Sequence, residues 1–77
     1  MPPLPEIVPE KIDESLTAQE IRLLQLLSDG FSYQKSADQM NISINTVRNY
    51  IRSIYDKLHV NTKSEAVGKA LRNRLIN

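Results

Sequence analysis

Apolar side chains recur at helical spacing from Leu16 onward, and a hydroxyl residue stands just before each apolar stretch. The hydroxyl of an N-cap serine or threonine accepts a hydrogen bond from an amide that the first helical turn leaves unpaired. Four such start signals are present: Thr17, Ser32, Ser43 and Thr62. Glutamates follow the first and the last of them by three residues, Glu20 and Glu65, which predicts a capping box at each. The pattern predicts four helices and no strand.

Stop signals complete the expected limits of the helices. Glycine adopts the left-handed conformation without steric cost, so Gly30 should end the first helix near Ser28. Histidine is enriched among non-glycine residues with positive φ, so we interpret His59 as the C-cap of the third helix rather than as a ligand. The predicted helices run from the Thr17 cap to about Ser28, from Tyr33 to Met40 and from Ile44 to Leu58, and the fourth follows Thr62.

The third helix separates its side chains into two faces when they are placed at about 100° per residue. One face is apolar and consists of Val47, Ile51, Ile54 and Leu58. The other is polar and consists of Asn45, Arg48, Asn49, Arg52 and Asp56. Arginine can donate two hydrogen bonds to guanine, and asparagine can pair with both N6 and N7 of adenine. With the short helix and tight turn before it, the third helix fits a helix-turn-helix whose second helix enters the major groove.

The expected fold is all-α, a four-helix bundle that contains a helix-turn-helix. The start of the third helix offers hydroxyls, an amide and free backbone N–H groups through Ser43, Asn45 and Thr46, and such groups can hold phosphate oxygens. Ser43 is also required as the N-cap, so it is assigned both roles.

Charge is distributed unevenly along the 77 residues. Residues 1–30 hold two basic and six acidic side chains, whereas residues 31–77 hold eight basic and three acidic ones. A polyanion would therefore prefer the second half. The chain has no cysteine and a single histidine, so we expect no metal, no cofactor and a reducing, cytoplasmic setting. Since no apolar run approaches the ~20 residues that cross a bilayer, we expect no membrane partner.

Residues 1–15 differ in composition from the rest of the chain. They contain all four prolines, which discourage helix and favour extended backbone. The predicted organisation is a flexible linker or N-terminal tail over residues 1–15, followed by one DNA-binding domain over residues 16–77. The tail fits either a short stand-alone regulator or a connection to an upstream domain.

Three segments carry a family resemblance: LTAQEIRLLQLLSDGFS, NISINTVRNYIRSIYDKLHV and NTKSEAVGKAL. They resemble the LuxR/FixJ/NarL-type, or GerE-like, helix-turn-helix domain over about residues 16–76. The positions in register are Leu16-Thr17, Glu20, Gly30, Ala37, Ile42-Ser43, Thr46-Val47, Lys57-Leu58, Val60 and Glu65-Ala66-Val67. The resemblance implies a bacterial transcription regulator that binds double-stranded DNA as a homodimer. It is often the output domain of a response regulator in a two-component system, and RNA polymerase is a possible further partner.

The family's contact residues fall on defined positions of this chain. The resemblance places base-reading residues at Arg48, Asn49 and Arg52, all on the polar face of the third helix. It places contacts to the DNA backbone at Asn45, Thr46 and Lys57. Tyr50 stands where the family often has histidine, and it is open to two interpretations, a phosphate contact or packing beside the fourth helix.

The second helix departs from the family pattern. Where the family favours an Asn-Lys-Glu-Ile run, this chain has Tyr33, Gln34, Lys35 and Ser36. A capping glutamate is thus replaced by Lys35 and a core isoleucine by Ser36, which predicts a looser second helix. The customary lysine–phosphate contact is lost from its usual position, and Lys35 is the candidate to supply it instead.

The fourth helix carries a stripe of apolar residues wider than one core contact requires: Ala66, Val67, Ala70, Leu71 and Leu75. We assign the first three to the core. The resemblance implies a dimer interface on this helix, for which Leu71 and Leu75 are the candidates. Gly68 costs about 1 kcal/mol relative to alanine inside a helix, and a close approach of two helices would explain it.

Two other classes of function fit the sequence less well. A helical module that docks polymerase or another regulator would not need the basic second half, and its binding would not weaken steeply with salt. An enzyme is disfavoured, because the sequence has no glycine-rich phosphate loop, no metal cluster and no nucleophile with a base and an orienting group.

Overall fold

A computed structural model describes residues 16–77. Four helices follow one another within that range: α1 (Ala18–Ser28), α2 (Tyr33–Met40), α3 (Ile44–Leu58) and α4 (Lys63–Arg72). Residues 16–77 contain no strand, which confirms the predicted all-α fold. The predicted linker or tail, residues 1–15, lies outside the described residues.

Each helix begins at the hydroxyl residue that the sequence predicted. The side chains of Thr17, Ser32, Ser43 and Thr62 each accept a hydrogen bond from the backbone N–H three residues on. The capping box of α1 is complete, because the Thr17 amide also donates to Glu20 Oε1 at 3.0 Å. The box of α4 is shifted, since Glu65 Oε1 accepts from the Asn61 amide at 2.9 Å rather than from the cap residue.

All four helices end in the same way, with one residue in the left-handed conformation. These residues are Gly30, Asn41, His59 and Arg74, with φ of 96° for the glycine and 59° for each of the others. The N–H of the following residue then donates to the carbonyl five positions back, as Val60 does to Tyr55 at 3.0 Å. This is the Schellman arrangement, and an apolar residue follows each left-handed one, as that arrangement favours. The stops predicted at Gly30 and His59 are confirmed.

The core lies between the four helices, each of which contributes at least one buried apolar side chain. Its buried apolar side chains are Leu16, Leu23, Leu24, Leu27, Ala37, Val47, Ile51, Ile54, Leu58, Ala66, Ala70 and Ile76. The predicted apolar face of α3 is buried in full, which confirms the assignment of its two faces. On α2, Ser36 is fully buried and its Oγ has no hydrogen-bond partner within residues 16–77, so this helix contributes a buried polar atom where an apolar one would pack better.

The segment after α4 folds back onto α1. Ile76 is buried, and the side-chain amide of Gln25 holds the backbone of Asn77 twice, donating to its carbonyl at 3.1 Å and accepting from its N–H at 3.0 Å. Leu75 follows the helix end and is half-buried. The sequence had placed Leu75 on the fourth helix with Leu71, and that placement is wrong, because α4 ends at Arg72. None of the helices that the structure describes is both long and apolar enough to span a bilayer.

Candidate nucleic-acid interface

The α2–turn–α3 unit brings a short helix against a long one. The turn consists of residues 41–43, in which Asn41 adopts the left-handed conformation and Ser43 caps the next helix. Because α3 has 15 residues and α2 only eight, α3 is too long for α2 to cover, and a long face of α3 stays open. This is the geometry of a helix-turn-helix with a recognition helix.

The outer face of α3 is polar and exposed along its length. All five residues predicted to face outward are exposed, namely Asn45, Arg48, Asn49, Arg52 and Asp56. Neither Arg48 nor Arg52 has an ion-pair partner within residues 16–77. Their guanidinium groups are therefore available to an external acceptor.

The start of α3 has two hydroxyls in contact. Ser43 Oγ accepts from the Thr46 amide at 3.1 Å and lies 3.0 Å from Thr46 Oγ1. Neither α2 nor α3 carries an acidic residue in its first turn, whereas α1 and α4 carry Glu20 and Glu65 there. Because the positive end of the helix dipole is not neutralised at α2 and α3, these two N-termini attract anions more strongly.

Lys57, a predicted backbone contact, has a partner inside the protein. Its Nζ lies 2.8 Å from Glu20 Oε1, in a pair where the lysine side chain is 28% exposed and the glutamate 5%. Burial acts to raise the pKa of Glu20, but hydrogen bonds from Lys57, from the Thr17 amide and from Ser53, together with the Lys57 charge, outweigh it and hold the pKa below its ordinary value. The pair connects the N-terminus of α1 to the recognition helix.

The other two predicted backbone contacts differ in exposure. Lys35 is exposed in the first turn of α2, where its amide donates to Ser32 Oγ at 3.1 Å. Tyr50 is half-buried and packs against the core, which favours the packing interpretation for its ring. The contact of either residue with DNA stays a prediction.

A second lysine holds the far end of α3. Lys69, on α4, donates from Nζ to the carbonyl of Leu58 at 2.9 Å. A cation at the C-terminus of a helix satisfies a free carbonyl and complements the dipole. The sequence did not predict this contact, because the lysine comes from the next helix and not from the last turn of α3.

Two tyrosines beside the arginines were also missed. Tyr33 at the start of α2 and Tyr55 on α3 line one shallow depression together with Arg48, Ile51 and Arg52. Burial, with a smaller contribution from the neighbouring Tyr33 phenol, raises the pKa of Tyr55 to about 12. The only sequence signal was that Tyr33 departs from the family's usual asparagine.

The predicted dimer residues lie on and after α4. Leu71 is 44% exposed, the one large apolar side chain so exposed within residues 16–77. A Cβ built on Gly68 would meet nothing nearer than the end of the Arg72 side chain, at 3.6 Å. Packing within the chain therefore does not require glycine at this position.

Known proteins are similar to this chain both in sequence and in fold. Residues 14–70 match the family model "Bacterial regulatory proteins, luxR family". The chain is 36% identical over 58 residues to the transcriptional regulatory protein DegU of Brevibacillus brevis, which covers 75% of this chain and 25% of that protein. It is 36% identical over 64 residues to the transcriptional regulatory protein LiaR of Bacillus subtilis, which covers 83% of this chain and 30% of that protein. The chain thus spans less than a third of the length of these relatives.

A solved structure described as "Structure of Transcription factor, GerE" superposes with a TM-score of 0.77. It is 35% identical to this chain, and the match covers 80% of this chain and 92% of that one. The similarity in fold and the similarity in sequence therefore agree over most of this chain.

Proposed function

Since the chain belongs to the luxR family of bacterial regulatory proteins and is a helix-turn-helix DNA-binding domain of transcription regulation, we propose that α3 recognises its site by direct contact with bases. The observation that carries this proposal is the exposed polar face of α3, where Arg48 and Arg52 have no ion-pair partner within residues 16–77. The domain would act by binding alone, without catalysis, in the cytoplasm.

Arg48, Asn49 and Arg52 are the proposed base-reading residues. Each guanidinium can donate twice to guanine O6 and N7, and the Asn49 amide can pair with adenine. The three side chains lie within little more than one helical turn, so they would contact neighbouring base pairs.

Contacts with the DNA backbone are proposed for the residues around the helix N-termini. Ser43, Asn45 and Thr46 lie at the start of α3, and Lys35 lies at the start of α2, where no carboxylate competes with a phosphate. Two further backbone contacts are proposed farther along α3, at Tyr50 and Lys57. Lys57 can donate to a phosphate and still keep its ion pair with Glu20, because an ammonium group has three protons to donate.

We also propose how the domain dimerises, from α4, and what kind of protein it belongs to, from its relatives. Exposed Leu71, beside Gly68 and followed by half-buried Leu75, would form a small apolar contact between two copies bound to adjacent half-sites. The relatives include the response regulator protein VraR of Staphylococcus aureus, which supports an output domain of a response regulator, although a short stand-alone regulator fits the same fold. RNA polymerase is the proposed further partner at a promoter.

The test is a titration of folded variants against a cognate duplex, obtained by selection from random sequences, and against a scrambled duplex. Arg48→Ala and Arg52→Ala should each weaken the cognate complex by ~1–3 kcal/mol more than the scrambled one, since a base contact is lost. Arg22→Ala is the matched control, because it removes an exposed arginine from α1. If both α3 variants leave the ratio of the two affinities unchanged, α3 does not read the sequence.

A further inference from the structure

The depression between α2 and α3 combines aromatic rings with the proposed base-reading arginines. Its lining consists of Tyr33, Arg48, Ile51, Arg52 and Tyr55. The rings of Tyr33 and Tyr55 are half-buried, Ile51 is buried, and both arginines are exposed. The arginines therefore border a surface that is apolar and aromatic, while their guanidinium ends reach solvent.

Helical spacing explains why these side chains meet. Arg48, Ile51, Arg52 and Tyr55 occupy positions i, i+3, i+4 and i+7 of α3, which form one flank of the helix. That flank faces the start of α2, and Tyr33 is the first residue of α2. Tyr33 thus reaches the arginine flank of the recognition helix from a different element.

The two rings are held in place. Ser32 caps α2 immediately before Tyr33, and Tyr33 also packs against the core. Tyr55 lines the same depression and packs against the core as well, and its burial raises the pKa of its phenol to about 12. Fixed rings offer a defined surface to a long side chain that is otherwise free to rotate.

Arginine has a face and an edge with different chemistry. The face of the guanidinium is attracted to the face of an aromatic ring, whereas the N–H donors lie in its plane. An arginine supported by tyrosine through its face keeps its edge free for two hydrogen bonds to guanine. Such support also reduces the freedom that the side chain must lose on binding DNA.

We propose that Tyr33 is a positioning residue for sequence recognition, which together with Tyr55 supports Arg48 and Arg52 and restricts where their guanidinium groups reach. The inference rests on the proposed function, because it assigns to Tyr33 a role through the base-reading arginines. It predicts an effect on discrimination between sequences and none on the general attraction to phosphates.

The test compares two substitutions of Tyr33 by titration with cognate and scrambled duplexes at two salt concentrations. Tyr33→Leu keeps apolar bulk but removes the ring, and it should lower the cognate-to-scrambled affinity ratio about three- to tenfold. Tyr33→Phe keeps the ring and should stay within about twofold of the wild type. Gln39→Ala, an exposed change at the other end of α2, is the control. Thermal unfolding of each variant shows that it is folded at the titration temperature.

A substitution cycle, in which the two arginines are replaced together, separates positioning from a merely structural role. In a chain that already carries Arg48→Ala and Arg52→Ala, Tyr33→Leu should change the affinity ratio no further. An effect that persists there, or an unchanged ratio in Tyr33→Leu alone, would overturn the proposal. Equal weakening of both duplexes by Tyr33→Phe would also overturn it, in favour of a phosphate contact by the hydroxyl. If the wild type itself fails to discriminate, the proposed function fails with it, and that outcome is distinguishable from the others.

Discussion

The basic side chains on and near α3 form two groups that point in opposite directions. Lys57 and Lys69 direct their ammonium groups inward, to the Glu20 carboxylate and the Leu58 carbonyl. Arg48 and Arg52 extend outward without an ion-pair partner within residues 16–77. The lysines hold the recognition helix in the fold, and the arginines are left for a ligand. Two of the positive charges of the second half therefore also support the fold.

The N-termini of the helices show the same division. Glutamates lie in the first turn of α1 and α4, whereas the first turns of α2 and α3 carry none. The supporting helices thus neutralise their dipoles within the protein, and the helix-turn-helix does not. Charges that stabilise the fold and charges that are free for DNA are thus carried by different side chains, and each of the following changes tests that separation.

Removing the inward lysine should give the largest loss of stability. Lys57→Met keeps the apolar stem but leaves the buried Glu20 carboxylate without its cation, and removing one partner of a buried pair is strongly destabilising. Because Lys57 is partly exposed, we expect a loss of about 2 kcal/mol in the free energy of unfolding. Urea denaturation measures it.

Lys63→Met is the control for Lys57→Met, since it removes the same charge from an exposed position on α4, and it should change stability by less than about 0.5 kcal/mol. Equal losses in the two variants would contradict the inward role of Lys57. Titration with DNA tests the proposed second role, because a phosphate contact by Lys57 would make the salt slope about one unit smaller in Lys57→Met.

The Glu20–Lys57 pair should also make stability depend on pH in the acidic range. The native pKa of Glu20 is held below its ordinary value of 4.5, so the folded state binds its proton more weakly than the unfolded state. The stabilisation is present above pH 4.5 and is lost as the pH falls through the native pKa. Glu20→Gln should flatten this part of the profile, which denaturation at several acidic pH values would measure. An unchanged profile in Glu20→Gln would assign the acid sensitivity to other carboxylates.

Local signals in the sequence were sufficient for most of the fold. The four N-caps and the stops at Gly30 and His59 depend on the conformation of a few consecutive residues, and the two faces of α3 depend on helical spacing alone. Asn41 and Arg74 adopt the same left-handed conformation. Asparagine has a known tendency to do so, but arginine at position 74 gave no local signal.

Contacts between elements distant in sequence could not be predicted. Glu20 and Lys57 are 37 positions apart, and Gln25 and Asn77 are 52 apart. Each side chain has an adequate local explanation, since Glu20 completes a capping box and Lys57 matches a family position. Their pairing follows only from how α1 packs on α3. The same holds for Tyr33, whose importance depends on which flank of α3 faces it.

The smallest expected effect comes from giving α2 an acidic residue in its first turn, as α1 and α4 have. Lys35→Glu places a carboxylate three residues after the Ser32 cap, where it can complete a capping box and complement the helix dipole. We expect a gain of about 0.5–1 kcal/mol in the free energy of unfolding. DNA binding should change in the opposite direction, because a cation at an open helix N-terminus is replaced by an anion that repels phosphate. Urea denaturation and DNA titration of the same variant measure the two effects.

Lys35→Gln separates the two parts of this prediction. It removes the cation without adding an anion, so affinity for cognate and scrambled duplexes should fall by the same factor, and the salt slope should fall by about one unit. Lys35→Glu should weaken both complexes further and again equally, since the start of α2 is proposed to meet only the backbone. Selective loss of the cognate complex would place Lys35 among the base-reading residues. A loss of stability in Lys35→Glu would instead show that the lysine itself supports the fold, and the division between supporting and DNA-facing charges would then not extend to α2.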